Sequence, residues 1–167
     1  MRKVIITECY TDSLMLKVIT RDHPDLQHQY GCNNVSRTMQ TKFSDAFAIG
    51  IIDNDKHGIA YLKDFTEVKN IGALCLYKHT TRLHWFITIS PAIERFLLDT
   101  ASQSGIFPTD YNIPSDLNGL KAITKSETSK HNPNMRRFFH ALVHANATGF
   151  VTIETWIKDI LEQKLIH

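Results

Sequence analysis

Three acids stand where they could do chemistry. Glu8 follows the short β-branched run Val4-Ile5-Ile6-Thr7, and Asp53 and Asp55 follow the apolar run Phe47–Ile52. Ligands of an open parallel sheet bind beyond the carboxyl ends of its strands, so two strands that stop at acids predict a carboxylate-lined edge. If those strands are neighbours, three carboxylates meet there, and like charges a few ångströms apart raise one another's pKa unless a cation joins them. Magnesium suits such a set, being a hard ion that a few carboxylates hold while it keeps waters for substrate phosphates. Asp53 and Asp55, two apart, share one side of an extended chain, with Asn54 on the other. Each acid also has a plainer explanation. Asp and Asn are favoured turn residues after a strand, and an acid near a helix N-terminus, as Glu8 would be, complements the helix dipole.

The elements that must position these acids follow from hydrophobic periodicity. Lys3 to Thr7 reads as a buried strand, and Leu14, Met15, Val18 and Ile19 then recur at helical spacing behind a cap at Thr11 or Asp12. His23-Pro24-Asp25 is a breaker, Leu26 to Tyr30 a short second strand ending at Gly31, and a polar helix capped by Asn33 or Asn34 runs to about Phe43. Phe47–Ile52 is apolar on both faces, as a central strand of a parallel sheet is. Gly72 to Tyr77 and His84 to Ile89 read as two more strands. After Ser90, a good N-cap, and Pro91, suited to a first helical position, the chain turns helical: Ile93, Phe96 and Leu97 form one stripe, and Leu117–Lys125, Arg136–Ala145 and Ile153–Lys164 are further helices. The expectation is a single α/β domain over 1–167, a mostly parallel central sheet flanked by helices, with the core in 1–90 and a helical extension over 91–167.

The order of these motifs resembles the Toprim fold of topoisomerases, primases and several nucleases. Its first motif, a strand ending in Glu with an acid a few residues on, reads here Val4-Ile5-Ile6-Thr7-Glu8-Cys9-Tyr10-Thr11-Asp12; its second, a hydrophobic strand ending in DxD, reads Ile51-Ile52-Asp53-Asn54-Asp55. The two lie about 45 residues apart, and Cys9 stands where the family usually has Gly. The resemblance covers roughly residues 3–90 and implies a Rossmann-like sheet with a Mg²⁺ (or Mn²⁺) site made by Asp53 and Asp55. Glu8 would be either a ligand or the catalytic general acid/base of phosphodiester cleavage. The segment Ser90-Pro91-Ala92-Ile93-Glu94-Arg95-Phe96-Leu97-Leu98 resembles a helix start of small Toprim-related, overcoming-lysogenisation-type nucleases, which would make Glu94 a further metal-site acid. The plainer role for Glu94 is an acid in a helix first turn.

The remaining charge is arranged in blocks. Nineteen Lys and Arg against 17 Asp and Glu give +2, which excludes a strongly basic coat. Residues 117–146, however, hold Lys121, Lys125, Lys130, Arg136 and Arg137 against Glu127, a local +4 that suits a polyanion such as DNA or RNA. Lys121 and Lys125, four apart, could reach one phosphate, and with Asp12 they are the candidate substrate-binding residues. Three scattered cysteines without a CxxC argue against a disulfide framework or thiolate zinc site and for a reducing, cytoplasmic setting. No apolar run reaches the ~18 residues of a membrane span. The readings are therefore a Mg²⁺-dependent nuclease or, alternatively, a non-catalytic module that binds or senses nucleic acid or nucleotide, alone, as a homo-oligomer or with a protein partner. A phosphatase with Asp53 as nucleophile is a third; it fits less well, since His57 occupies the position where Thr or Val is usual.

Overall fold

The computed structural model describes residues 1–54 and 58–165, apart from the side chain of Lys130. Six strands form one mixed sheet: β1 (Lys3–Thr7), β2 (Leu26–His28), β3 (Phe47–Asp53), β4 (Phe65–Ile71), β5 (Leu74–His79) and β6 (His84–Ile89). Their spatial order is β2-β1-β3-β6-β5-β4. The first four in that order are mutually parallel, and β5 and β4 complete the sheet antiparallel. Six α-helices accompany them: α1 (Tyr10–Thr20), α2 (Gly31–Thr41), α3 (Ile93–Gln103), α4 (Leu117–Thr124), α5 (Pro133–His144) and α6 (Thr148–Leu161). Every described element after β6 is helical.

The two faces of the sheet are read out by alternation along its strands. Ile5, Ile49, Ile51, Trp85 and Ile87 enter a core with residues of α1, α3, α5 and α6. Their neighbours Val4, Ile6, Ala48, Ile52 and Phe86 face the other way, onto Val35 and Met39 of α2 and onto Tyr61 of a 3₁₀ turn over Ala60–Asp64. The chain thus leaves β1 by a helix on one face and leaves β2 by a helix on the other, so the strand order reverses between β1 and β3. That is a topological switch point, where the departing loops separate and leave a crevice. Gly50 of β3 makes the second face possible, because a Cβ there would lie 2.4 Å from the Phe86 ring and 3.0 Å from the Met39 sulfur.

Where local sequence competes with tertiary context, boundaries differ from the expected ones. The N-cap of α1 is Cys9, whose sulfur accepts from the Asp12 amide at 3.4 Å; Thr11 and Asp12 lie inside the helix, fully buried. Helix α2 starts at Gly31 with Tyr30 as N-cap, ahead of Asn33 and Asn34. β4 is unannounced in the sequence. As the sheet edge it exposes both faces, and its Thr-Glu-Val-Lys-Asn stretch carries no apolar alternation. Helix α3 begins at Ile93 with Ala92 as N-cap, two residues beyond the expected Ser90-Pro91 start. Among the described residues no helix is long and apolar enough to cross a membrane.

Candidate functional site

The site is built at the switch point. Thr7 is paired with Ile51, and the Glu8 N–H extends that ladder by donating to the Ile51 carbonyl at 3.2 Å. The chain then turns into α1, so the Glu8 side chain lies across the end of β3, where its Oε2 accepts from the Asp53 N–H at 2.7 Å. The Asp53 carboxylate reaches onward: its Oδ1 accepts from Ile93 N–H at 3.1 Å. Ile93 is the first residue of α3 and its N-cap, Ala92, has no side-chain acceptor, so Asp53 supplies a cap from 40 residues away. Next to Ile93, Glu94 is 6% exposed, and its Oε1 accepts from the Thr124 hydroxyl at 2.6 Å at the end of α4. The Thr11 hydroxyl in turn donates to the Thr124 carbonyl at 3.3 Å. The ends of β1 and β3, the start of α3 and the end of α4 are thereby tied together through acids.

The electrostatics of this arrangement are unbalanced. Burial, with the charges of Asp12, Glu8 and Glu94, pushes the Asp53 carboxyl up to about 9. Burial pushes Asp12 up to about 7; the Cys9 thiol works against that shift, and the Glu8 and Glu94 charges add to it. Among the described residues neither Asp12 carboxyl oxygen has a hydrogen-bond partner of ordinary geometry, while the nearby Cys9 amide and thiol favour its charge. The Cys9 thiol is itself raised well above its ordinary value, by burial first and then by Asp12 and Asp53. Among the described residues no ion pair neutralises Asp12, Asp53 or Glu94.

A cleft of about 250 Å³ opens on this cluster, lined by Asp53, Glu94, Cys9, Thr124, Lys125 and the rings of Tyr10, His28 and Tyr30. Of the acids expected to meet, Glu8 reaches the Asp53 backbone, and Asp53 reaches the backbone of Ile93, the residue before Glu94. Asp55 and His57 lie outside the described residues. The donor chemistry, carboxylates around a raised carboxyl and an orphaned one, suits a hard cation. Among the described residues, however, no three His, Cys, Asp or Glu side chains converge into a set that could hold a metal ion.

No family model, curated protein or solved structure matches the chain. The reading of the site therefore rests on its own geometry.

That geometry redistributes the expected substrate-binding residues. Asp12 is 0% exposed and lines no part of the cleft, so it acts on the site through its charge rather than by touching a substrate. Lys125, exposed at the end of α4, lines the cleft; Lys121 does not, and its carbonyl accepts from Thr124 at 3.3 Å. The +4 stretch is not one patch. Arg136 lies 4.0 Å from Asp22, beyond the far end of the 11-residue α1 and so ~16 Å along that helix from the cleft. Tyr30, His28 and Thr124 were not among the expected site residues. Tyr30 had a legible signal, since it follows a strand end, where the switch-point rule already looks for ligands.

Proposed function

We propose that the chain is a Toprim-like, Mg²⁺- or Mn²⁺-dependent enzyme acting on nucleic-acid phosphodiesters, most simply a nuclease. The observation that carries this reading is the linkage of acids at the carboxyl ends of two adjacent parallel strands: Glu8 accepts from the Asp53 N–H, and Asp53 from the N–H of Ile93, next to Glu94. The adjacency of β1 and β3, each ending in an acid of the motif, supports the Toprim resemblance. Asp53 and Glu94, with Asp55 and Glu8, are the residues that would hold the cation. When bound, a divalent ion supplies charge that polarises a phosphate oxygen and stabilises the leaving oxygen. Glu8, oriented by the Asp53 amide, is the carboxylate to hold or move a proton. Lys125 offers a cation to a phosphate at the cleft edge.

The test is calorimetric titration of Mg²⁺ and Mn²⁺ into the wild type and into Asp53→Asn and Asp55→Asn, alongside cleavage of DNA and RNA by wild type and Glu8→Gln. Cation binding that depends on both aspartates, and cleavage lost in Glu8→Gln, are expected. Binding indifferent to both aspartates overturns the proposal.

A second reading is a non-catalytic module that binds or senses nucleic acid or nucleotide. It is favoured by the lack of a three-ligand set among the described residues and by Cys9, whose side chain occupies a loop position where Gly would let a phosphate approach the backbone. Retained nucleic-acid binding without any cation-dependent cleavage would select it.

A further inference from the structure

The rim of the cleft carries three aromatic rings packed against one another. Tyr10, the first residue of α1, stacks on His28 at the end of β2, with centroids 4.1 Å apart and planes 18° apart. Tyr30 meets both rings edge-on, at 5.5 Å and 4.7 Å, and its hydroxyl lies 2.6 Å from that of Tyr10. Tyr30 is nevertheless 63% exposed. A rigid, mutually braced group of rings that leaves one large ring in solvent, on the same cleft as Asp53, Glu94 and Lys125, is preorganised for a flat apolar partner.

We propose that this rim is a stacking platform for an unpaired base of single-stranded nucleic acid, with the adjoining phosphate entering the cleft beside Lys125. The inference rests on the phosphodiester reading and gives it a substrate class. Aromatic faces hold bases without regard to sequence, because every base has a π-face. Bases inside a duplex cannot reach such a ring without leaving the stack. A free nucleotide is the other source of the same base-plus-phosphate chemistry. Small-ligand sites generally enclose most of their ligand in roughly 300–1,000 Å³. Here the cleft is about 250 Å³ and the exposed ring stands on its rim, an arrangement that leaves a base outside with its chain continuing past it.

The test is a titration of protein into a single-stranded oligonucleotide carrying one 2-aminopurine, at low ionic strength in EDTA, so that cation-dependent cleavage does not enter. Stacking should quench the probe. Tyr30→Ala should lower affinity roughly ten- to a hundredfold; Tyr30→Phe, which keeps the ring and removes its hydroxyl, should retain most of it. Duplex carrying the same probe, and 2-aminopurine nucleoside monophosphate, should bind at least tenfold more weakly than the strand. Circular dichroism of Tyr30→Ala checks its fold, and if that variant is damaged, the comparison of strand, duplex and monophosphate on the wild type decides. Unchanged affinity in a folded Tyr30→Ala, or duplex or monophosphate matching the strand, overturns the inference. Quenching that persists in a protein without cation-dependent cleavage supports the platform and overturns the catalytic reading alone.

Discussion

The raised carboxyl of Asp53 makes the stability of the protein depend on pH in a window where few other groups interfere. A folded-state value of about 9 against an ordinary 3.8 means that the native state keeps a proton the unfolded chain has released. Below 3.8 both states are protonated and nothing differs. Above it the unfolded state gains by ionising, so stability falls with rising pH until the folded value is reached, by about 1.4 kcal/mol per pH unit. Between pH 7 and 8.5 this amounts to about 2 kcal/mol from Asp53 alone, with a few tenths more from Asp12 as it finishes titrating near 7. The buried histidines contribute nothing there, because their values lie below 6.5 in the native state and the unfolded imidazoles are already largely neutral. Urea denaturation of the wild type in metal-free buffer at pH 7 and 8.5 should show that loss. Asp53→Asn keeps an oxygen for the Ile93 amide and removes the titration, so its stability should be nearly level over the same window and its margin over the wild type should widen by about 2 kcal/mol from pH 7 to 8.5. A wild type that is flat to within about 0.5 kcal/mol, or an Asp53→Asn variant with the wild-type slope, would refute the electrostatic account of the cluster.

Two further predictions concern the opposite face of the sheet. His84 is fully buried with Nδ1 2.7 Å from the Tyr61 hydroxyl and Nε2 2.9 Å from the Phe43 carbonyl, and burial lowers its pKa. By ¹⁵N NMR its ring should therefore titrate below the ordinary 6.5, and the stability its neutrality provides is lost as pH falls from 6.5 through the lower folded value; titration at or above 6.5 would contradict the burial argument. Gly50→Ala should cost about 1–3 kcal/mol in urea denaturation, because the new methyl meets the Phe86 ring in a packed layer, and an unchanged midpoint would show that this layer yields freely.

What could be read from the sequence follows what each residue's neighbours in the chain reveal. β1, β3 and β6 are buried on both faces, so their apolar runs and the acids that stop two of them are visible as a linear pattern. The placement of Glu8 beside Asp53 needed only the added premise that the two strands are neighbours. β4 escaped because an edge strand is selected by its pairing with β5 and not by burial. The start of α3 was misplaced because its cap comes from Asp53, across the fold, while Ser90-Pro91 offered a better local cap. The basic stretch resembled a single patch because a charge count along the chain ignores direction. In the fold Lys125 ends one helix at the cleft while Arg136 begins another near Asp22. Tyr10, His28 and Tyr30 come together only because β1 and β2 are paired.

Asp53 itself separates a structural from a chemical reason for the cluster. Among the described residues its carboxyl's structural service is one bond, from Ile93 N–H to Oδ1. Asn performs that service about as well, since Asn and Asp rank alike as helix caps. It would do so without bringing a carboxyl among Asp12, Glu8 and Glu94, where a folded-state value of about 9 corresponds to about 4 kcal/mol of lost stability at pH 7. Against a total of about 5–15 kcal/mol for a typical domain, that is a large burden for a cap to carry. A capping role accounts for an oxygen at this position and leaves the charge unexplained. A cation bound by ionised Asp53 would offset the burden and, because it must displace the proton, would bind more tightly as pH rises toward 9. The same carboxyl that weakens the metal-free protein is in this way the strongest argument that the switch point between β1 and β3 is a place for chemistry.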